Sequence, residues 1–318
     1  MNLSFKSLWS RNPIGWSAID MQGGVYGVNV RLPRQAGQKP TVLQHAAYPN
    51  QAVDAAVLAQ MGRTLSPAKL DVVAVLDRQN YQIFMVDKPA VHQHEMESSL
   101  RLAVSPMIDY PVAEANLAWL DIPVRQTMGN RVPQLYVVVA RTSLVDARKA
   151  LFGQAKVRLD VVDIPESAQR NISCLLGSET AATCLIFADA HGVQLTVTYQ
   201  GELYLVRYIG EALRGQPNGD NSDPFSQAID RLALEIQRSL DFVRRSYPSI
   251  NINTLHVAPT AVDIGLADLL KSHLNEEVKS VDLSSLFDFP QGSDLKRPEI
   301  QAQYFHALGA ALRIQNKG

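Results

Sequence analysis

Two carboxylates carry the chemical interest of this 318-residue sequence, and each stands at the mouth of a glycine turn. Asp20 follows the apolar run from Trp16 to Ile19 and precedes Met21, Gln22, Gly23 and Gly24. Asp189 follows Leu185, Ile186, Phe187 and Ala188 and precedes Ala190, His191 and Gly192. Beyond the turns, Tyr26, Val28, Val30 and Leu32 alternate in the first copy and Val193, Leu195, Val197 and Tyr199 in the second. This is the period-2 pattern of half-buried strands. An acid beside a glycine turn between strands is one way to hold a phosphate and its metal. Backbone N–H groups point at the anion while the carboxylate orients water or Mg²⁺. One such hairpin is ordinary. Two copies far apart predict two similar α/β lobes facing each other, and small ligands bind between lobes.

The chain is 46% hydrophobic, enough for a substantial core and more than one lobe. Its 30 basic and 31 acidic residues leave a formal charge of −1, which argues against nucleic acid as a partner. Cys174 and Cys184 are the only cysteines and lack CxxC spacing, which suits a reducing cytoplasm better than a disulfide framework. No apolar run reaches the roughly 20 residues of a bilayer span. Residues 1–11 contain Phe5, Leu8 and Trp9 without a continuous apolar stretch, so they read as a docked or frayed terminus and not as a secretory signal.

The elements that must position the two acids follow from the pattern. After the first hairpin come a strand at 41–47, a helix at 53–61 opened by Asp54 and closed by Gly62, and a nearly continuous apolar strand at 70–76. A strand at 81–86 ends at Asp87, Lys88 and Pro89. The texture then changes: helix 93–103, strand 116–122, strand 134–140, helix 143–152 and strand 157–162. These make an inserted α/β unit of about 70 residues, the size of a small subdomain. A helix at 163–176 with Pro165 in its first turn leads to the second hairpin and a strand at 202–208. A polar stretch at 210–224 follows, then a helix at 225–247 striped by Ile229, Leu232, Ile236, Leu240 and Val243. Strand 250–257, helix 262–274, strand 278–283 and a terminal helix at 301–314 complete the chain. The expected division is 1–90 for the first part of lobe one, 91–162 for the insertion, 163–181 for a connecting helix of lobe one and 182–318 for lobe two.

Four stretches, in order along the chain, resemble the actin-like ATPase superfamily and, within it, the MSHA-pilus branch of the PilM-type pilus-assembly proteins. Ile14-Gly-Trp-Ser-Ala-Ile-Asp20 resembles the first phosphate strand, and Leu135 to Arg141 through Val161-Val-Asp163 resembles the inserted subdomain and its return. Glu235-Ile-Gln-Arg-Ser-Leu is similar to a family helix, and Ala307-Leu-Gly-Ala-Ala-Leu-Arg313 to the family's ending. The resemblance implies an actin-like (ribonuclease H-like) two-lobed α/β fold with an inserted subdomain in lobe one. It also implies a cytoplasmic platform, peripheral at the inner membrane, that holds the cytoplasmic tail of a PilN-like bitopic protein beside other pilus assembly components. The tail would bind as an extended peptide in a groove on lobe one and its insertion. Homo-oligomerisation is left open.

The nucleotide roles implied by the resemblance fall on Asp20, Gly23, Gly24, Asp189, Gly192, Gly265 and Glu235, with Mg-ATP as the cofactor and Asp20 and Asp189 orienting metal and water. The sequence departs from that pattern. Gln22 stands where a glycine is expected, Gly23 and Gly24 replace hydroxyl residues, and Gly27 stands in place of a phosphate-neutralising lysine. His191 takes the first glycine position of the second turn. The glycine pair of the adenosine turn has become Ala258-Pro259, although Gly265-Leu266 remain. A degenerate cleft with no catalytic residues is therefore expected, the two acids pairing with Ser17, Thr196 or turn amides. An ATP-switched protein of the same fold is the alternative, and a sugar- or acetate-kinase-like enzyme a third reading. Glu235 also reads as a surface charge beside Arg238 or Arg231.

Other constellations carry less. His92 and His94 flank Gln93 beside Glu95 without a third ligand, so no metal site is expected. Gly24-Val-Tyr-Gly27 misses a dinucleotide loop, and neither a Walker loop nor a Gly-x-Ser-x-Gly elbow is present. Arg244, Arg245 and Tyr247 close a helix, where cations suit the dipole.

Overall fold

The computed structural model describes residues 15–35, 37–66, 70–123, 132–177, 180–210, 213 and 222–313. The expectations for residues 1–11, and for most of the polar stretch at 210–224, lie outside them.

Two five-stranded sheets share one plan. The first joins β1 (Trp16–Asp20), β2 (Gly24–Arg31), β3 (Thr41–Pro49), β4 (Asp71–Val75) and β8 (Val161–Asp163) in the order β3-β2-β1-β4-β8. The second joins β9 (Ala182–Ala188), β10 (Val193–Tyr199), β11 (Glu202–Ile209), β12 (Ile252–Val257) and β13 (Glu277–Ser280) in the order β11-β10-β9-β12-β13. In each, three antiparallel strands are followed across the sheet by two parallel ones. The hairpin repeat legible around Asp20 and Asp189 is thus part of a duplicated lobe, and the fold is the expected two-lobed actin-like one.

Each sheet is closed on one face by its own helices. Helix α1 (Ala55–Leu65) lays Leu58, Met61 and Leu65 on Ile19 and Val25. It starts on an Asp54 cap, whose Oδ1 accepts the Val57 N–H at 2.8 Å. It runs through Gly62, where the sequence suggested its end, to Leu65, and at Gly62 a Cβ would fall 2.6 Å from Val157 Cγ2. Val157 belongs to the lobe-one core ahead of the strand expected at 157–162, which is confined to β8. In lobe two, α5 (Ser222–Ser246) and α6 (Leu266–Lys271) cover the sheet with Ile229, Leu232, Ile236, Leu240, Leu266 and Leu270.

The opposite faces are closed by an exchange. Helix α4 (Pro165–Leu176) leaves lobe one, yet Gln169 Nε2 donates to Leu185 O at 2.6 Å and to Gln194 O at 3.3 Å in the lobe-two sheet. Helix α7 (Pro298–Ala310) ends lobe two, yet Tyr304 meets Tyr26 of β2 edge-on at 5.5 Å. The two helices cross at Gly309. A Cβ there would fall 2.3 Å from Ala168 O, and Asn171 Nδ2 donates to Gly309 O at 2.9 Å. The Ala-Leu-Gly ending therefore has a structural role at the joint between lobes.

The inserted sheet has the order β5-β7-β6, from β5 (Tyr81–Asp87), β6 (Ala115–Ile122) and β7 (Gln134–Arg141). Helix α2 (Met96–Val104) seals one face with Met96, Leu100 and Val104 against Leu135, Val137 and Val139. The boundary expected at residue 90 moves forward, because β5 pairs with β7 and not with lobe one. At the insertion's other end, α3 (Thr142–Gln154) packs against both units, with Val145 on Tyr81 and Ala140 of the inserted sheet and Phe152 in the lobe-one core beside Met61. Cys174 and Cys184 are free thiols, and burial pushes them up to about 11 and about 12.

Candidate functional site

The two acid turns meet between the lobes. Asp20 ends β1, paired across the hairpin with Tyr26, and the turn needs Gly23 at φ 68°. Asp189 follows β9, and its N–H donates to Gly192 O at 3.0 Å to close the second turn. Each carboxylate is first used by its own turn. Asp20 Oδ1 accepts the Gln22 N–H at 3.2 Å. Asp189 Oδ1 accepts those of His191 at 2.7 Å and Gly192 at 3.1 Å. The Gln22 side chain then crosses between lobes, Nε2 donating to Asp189 Oδ2 at 3.1 Å. Of the three kinds of partner that the sequence left open, turn amides bond to both acids, whereas Ser17 Oγ and Thr196 Oγ1 are buried without a hydrogen bond.

Asp20 is 4% exposed and faces His306 of α7, Nδ1 to Oδ2 at 3.7 Å. At that spacing an ion pair is conceivable, but both groups are driven toward their neutral forms. Burial pushes Asp20 up to about 7 and His306 down to about 4, because the charged form of each is poorly solvated there. We therefore read a neutral acid facing a neutral imidazole at slightly acidic pH. His306 Nε2 is buried with no hydrogen bond.

The cation near Asp20 comes from α3. Arg148 Nη2 lies 3.7 Å from Asp77 Oδ2 and Nη1 lies 3.0 Å from Met21 Sδ. Gly27 does not lie at the turn's end. β2 begins at Gly24, and a Cβ at Gly27 would point into α1, 2.5 Å from Met61 Sδ and 2.7 Å from Leu65 Cδ1. A lysine there would enter the lobe-one core, not the cleft. His191 is 69% exposed at its side chain, with Nδ1 3.7 Å from Asp189 Oδ1.

The remaining expected positions scatter. Gly265 caps α6 at φ 63°, its N–H on Asp263 Oδ1 at 2.9 Å. Ala258 is buried in the core that joins the lobes. Glu235 lies on α5 with Arg238 Nη1 2.6 Å from its Oε1, the surface pairing that its sequence context also allowed. His92 and His94 stack at 5.8 Å while His92 takes part in a capping box with Glu95. His306 and Arg148 are the residues that sequence reasoning missed, and Gln22, noted there only as a departure from glycine, bonds across the cleft. Their signal is three-dimensional: each acts on a partner from another element.

These features define an actin-like, two-lobed protein whose paired acid turns bond to each other across the cleft. A family model for the type IV pilus assembly protein PilM matches residues 35–209, more than half of the chain, and the chain belongs to that family. Among solved structures it is similar to a PilM-PilN type IV pilus biogenesis complex, with 19% identity over 95% of this chain and 98% of that one and a TM-score of 0.71. Weaker likeness is found to the cytoplasmic domain of EpsL, an inner membrane component of the Vibrio cholerae type II secretion system (10% identity, 92% and 94% covered, TM-score 0.48). It is also found to a Bacteroides thetaiotaomicron protein with an actin-like ATPase fold (11%, 95% and 98%, TM-score 0.49). No curated protein matches the sequence. Among the described residues no helix is long and apolar enough to cross a membrane.

Proposed function

We propose that this chain is a cytoplasmic scaffold, peripheral at the inner membrane, in the assembly platform of an MSHA-like type IV pilus. In this reading it is an MshI-type protein that binds the cytoplasmic tail of a PilN-like bitopic partner beside other pilus components. Family membership and the fold likeness to a PilM-PilN complex support the partner class. The inserted sheet supports the binding mode. Among the described residues β5 pairs on one side only, with β7, so its outer edge can accept an added strand, and Met85 is exposed on it.

The cleft is proposed to be degenerate. The observation that carries this is the Gln22 to Asp189 bond. It engages the Asp189 oxygen that its own turn leaves free, in competition with a metal or water, while the turn amides that would hold phosphate are donated to Asp20 and Asp189. Asp20 is buried against His306 and disfavours the charged form that a metal requires. These residues do not fit a metal–phosphate group, and no catalytic step is assigned to them.

Calorimetric titration of the purified chain with Mg-ATP is expected to give no saturable heat, and a tight isotherm would sink the degenerate-cleft reading. Affinity purification of the tagged chain from detergent-solubilised membranes is expected to retain a bitopic pilus protein. If none is retained, the platform reading fails.

A further inference from the structure

Arg78 stands where the chain leaves lobe one for the inserted sheet, in the short turn Arg78–Asn80 between β4 and β5. Its guanidinium touches several parts of the molecule. Nη1 donates to the Tyr81 carbonyl at 3.2 Å, at the start of the inserted sheet. Nε lies 3.7 Å from Glu166 Oε1 on α4. The guanidinium carbon lies 5.2 Å from the Tyr81 ring centroid and 5.3 Å from that of Tyr208 on β11. Glu166 is buried and takes the Tyr81 hydroxyl at 2.5 Å.

Tyr208 continues the line. Its hydroxyl donates to His191 O at 2.8 Å. The His191 N–H holds Asp189, and Asp189 accepts Gln22 at the tip of the first hairpin. Direct contacts therefore run from the inserted sheet through Arg78 and lobe two to both acid turns. Arg78 Nε is buried yet makes no hydrogen bond. The cation is held by one hydrogen bond to the Tyr81 carbonyl, by stacking and by charge, not by a bidentate fork, so a small shift of the sheet re-aims it. Removing it leaves Glu166 buried without that counter-charge.

We propose that Arg78 couples the position of the inserted sheet to closure of the Asp20 and Asp189 turns. A molecule that displaces the sheet withdraws the guanidinium from Tyr208 and loosens the turns. Opening of the turns loosens the sheet in return, since such a coupling is reciprocal. The inference does not depend on which partner docks, nor on whether nucleotide binds.

The test is amide hydrogen exchange on the full chain without ligand. Arg78→Ala is expected to speed exchange of the His191 and Gly192 amides by about tenfold, and Gln22→Ala to speed that of the β5 amides, as contacts holding a local opening are lost. Arg78 and Gln22 do not pair with each other, so independent effects on the turn amides would multiply. Coupling instead predicts a double variant no faster than the faster single one. Effects that multiply, or an Arg78→Ala effect confined to residues 78–87, overturn the proposal. If Arg78→Ala does not fold, Arg78→Lys, which keeps the charge and loses the planar stack, and Tyr208→Leu carry the same comparison.

Discussion

The amide of Gln22 donates to the carboxylate of Asp189 at 3.1 Å, joining two hairpin turns that lie 167 residues apart in sequence. The resemblance to actin-like ATPases expects a glycine at position 22. The longer side chain turns a gap between lobes into a hydrogen-bonded contact, and the second acid, already held by two turn amides, gains a third donor.

Breaking this contact is expected to cost about 1–2 kcal/mol, the worth of a charge-assisted bond in a partly buried place. Gln22→Ala should lower the free energy of unfolding by that amount at neutral pH, read as a lower midpoint in urea at unchanged slope. Gln22→Glu should cost more, because it sets two carboxylates face to face, and the extra loss should fade as pH falls and one of them takes a proton. An unchanged midpoint for both variants would show that the turns do not hold each other in solution.

Asp20 and His306 predict opposing pH dependences. The Asp20 carboxyl is raised from 3.8 to about 7 in the folded chain, so the folded state holds its proton after the unfolded chain has lost it. Its contribution is fully present below pH 4 and is lost as pH rises to about 7. His306 is lowered from 6.5 to about 4, so its contribution is present above pH 6.5 and is lost as pH falls toward 4. The two slopes oppose each other between those limits. Asp20→Asn removes one of them. The variant should match the wild type near pH 4 and exceed it at pH 8 by on the order of 3 kcal/mol, measured by chemical denaturation at each pH. A difference that does not vary with pH would refute the buried neutral acid.

The features legible in the sequence are those with local causes. Asp20 with Gly23 and Gly24, and Asp189 with Gly192, announce their turns because acid, glycine and alternation lie within a few residues. Their recurrence made the duplicated lobe readable. The exchange of α4 and α7 was not readable, because what fixes it is a backbone approach between Ala168 and Gly309. Gly27 shows the same limit: position along the chain suggested a lost lysine, while the strand register turns it toward Met61. The pairing of β5 with β7 is equally hidden, because an apolar strand looks the same in sequence whichever sheet it joins.

The α4–α7 joint supplies a packing prediction. A methyl group at position 309 would meet Ala168 O at 2.3 Å, a backbone atom that cannot rotate away. Gly309→Ala must separate the helices and disturb the Asn171 bond to Gly309 O. The expected cost is about 3 kcal/mol, the upper part of the overpacking range. It should appear as a lower thermal midpoint, whereas Gly153→Ala, in α3 with no atom within 4 Å of the added Cβ, should not destabilise the chain.

The inserted sheet docks on lobe two through Tyr136, and this contact can be dissected with one atom. The ring lies in the lobe-two core with Ile122, Leu203 and Tyr204. Its hydroxyl accepts the Val206 N–H at 3.1 Å and donates to Tyr204 O at 3.4 Å. Tyr136→Phe keeps the ring and its apolar burial while leaving the Val206 N–H without this acceptor, a loss of about 1–3 kcal/mol if nothing replaces it. Because the lost bond joins insertion to lobe two, exchange should rise at the Val206 amide. It should stay slow at Val137 and Val139, whose side chains pack under α2 on the other face. Equal acceleration across β7 and β11 would mean that the two sheets open as one unit. Faster exchange at Val206 alone would place the hinge between the insertion and β11, which is the motion that the Arg78 coupling requires.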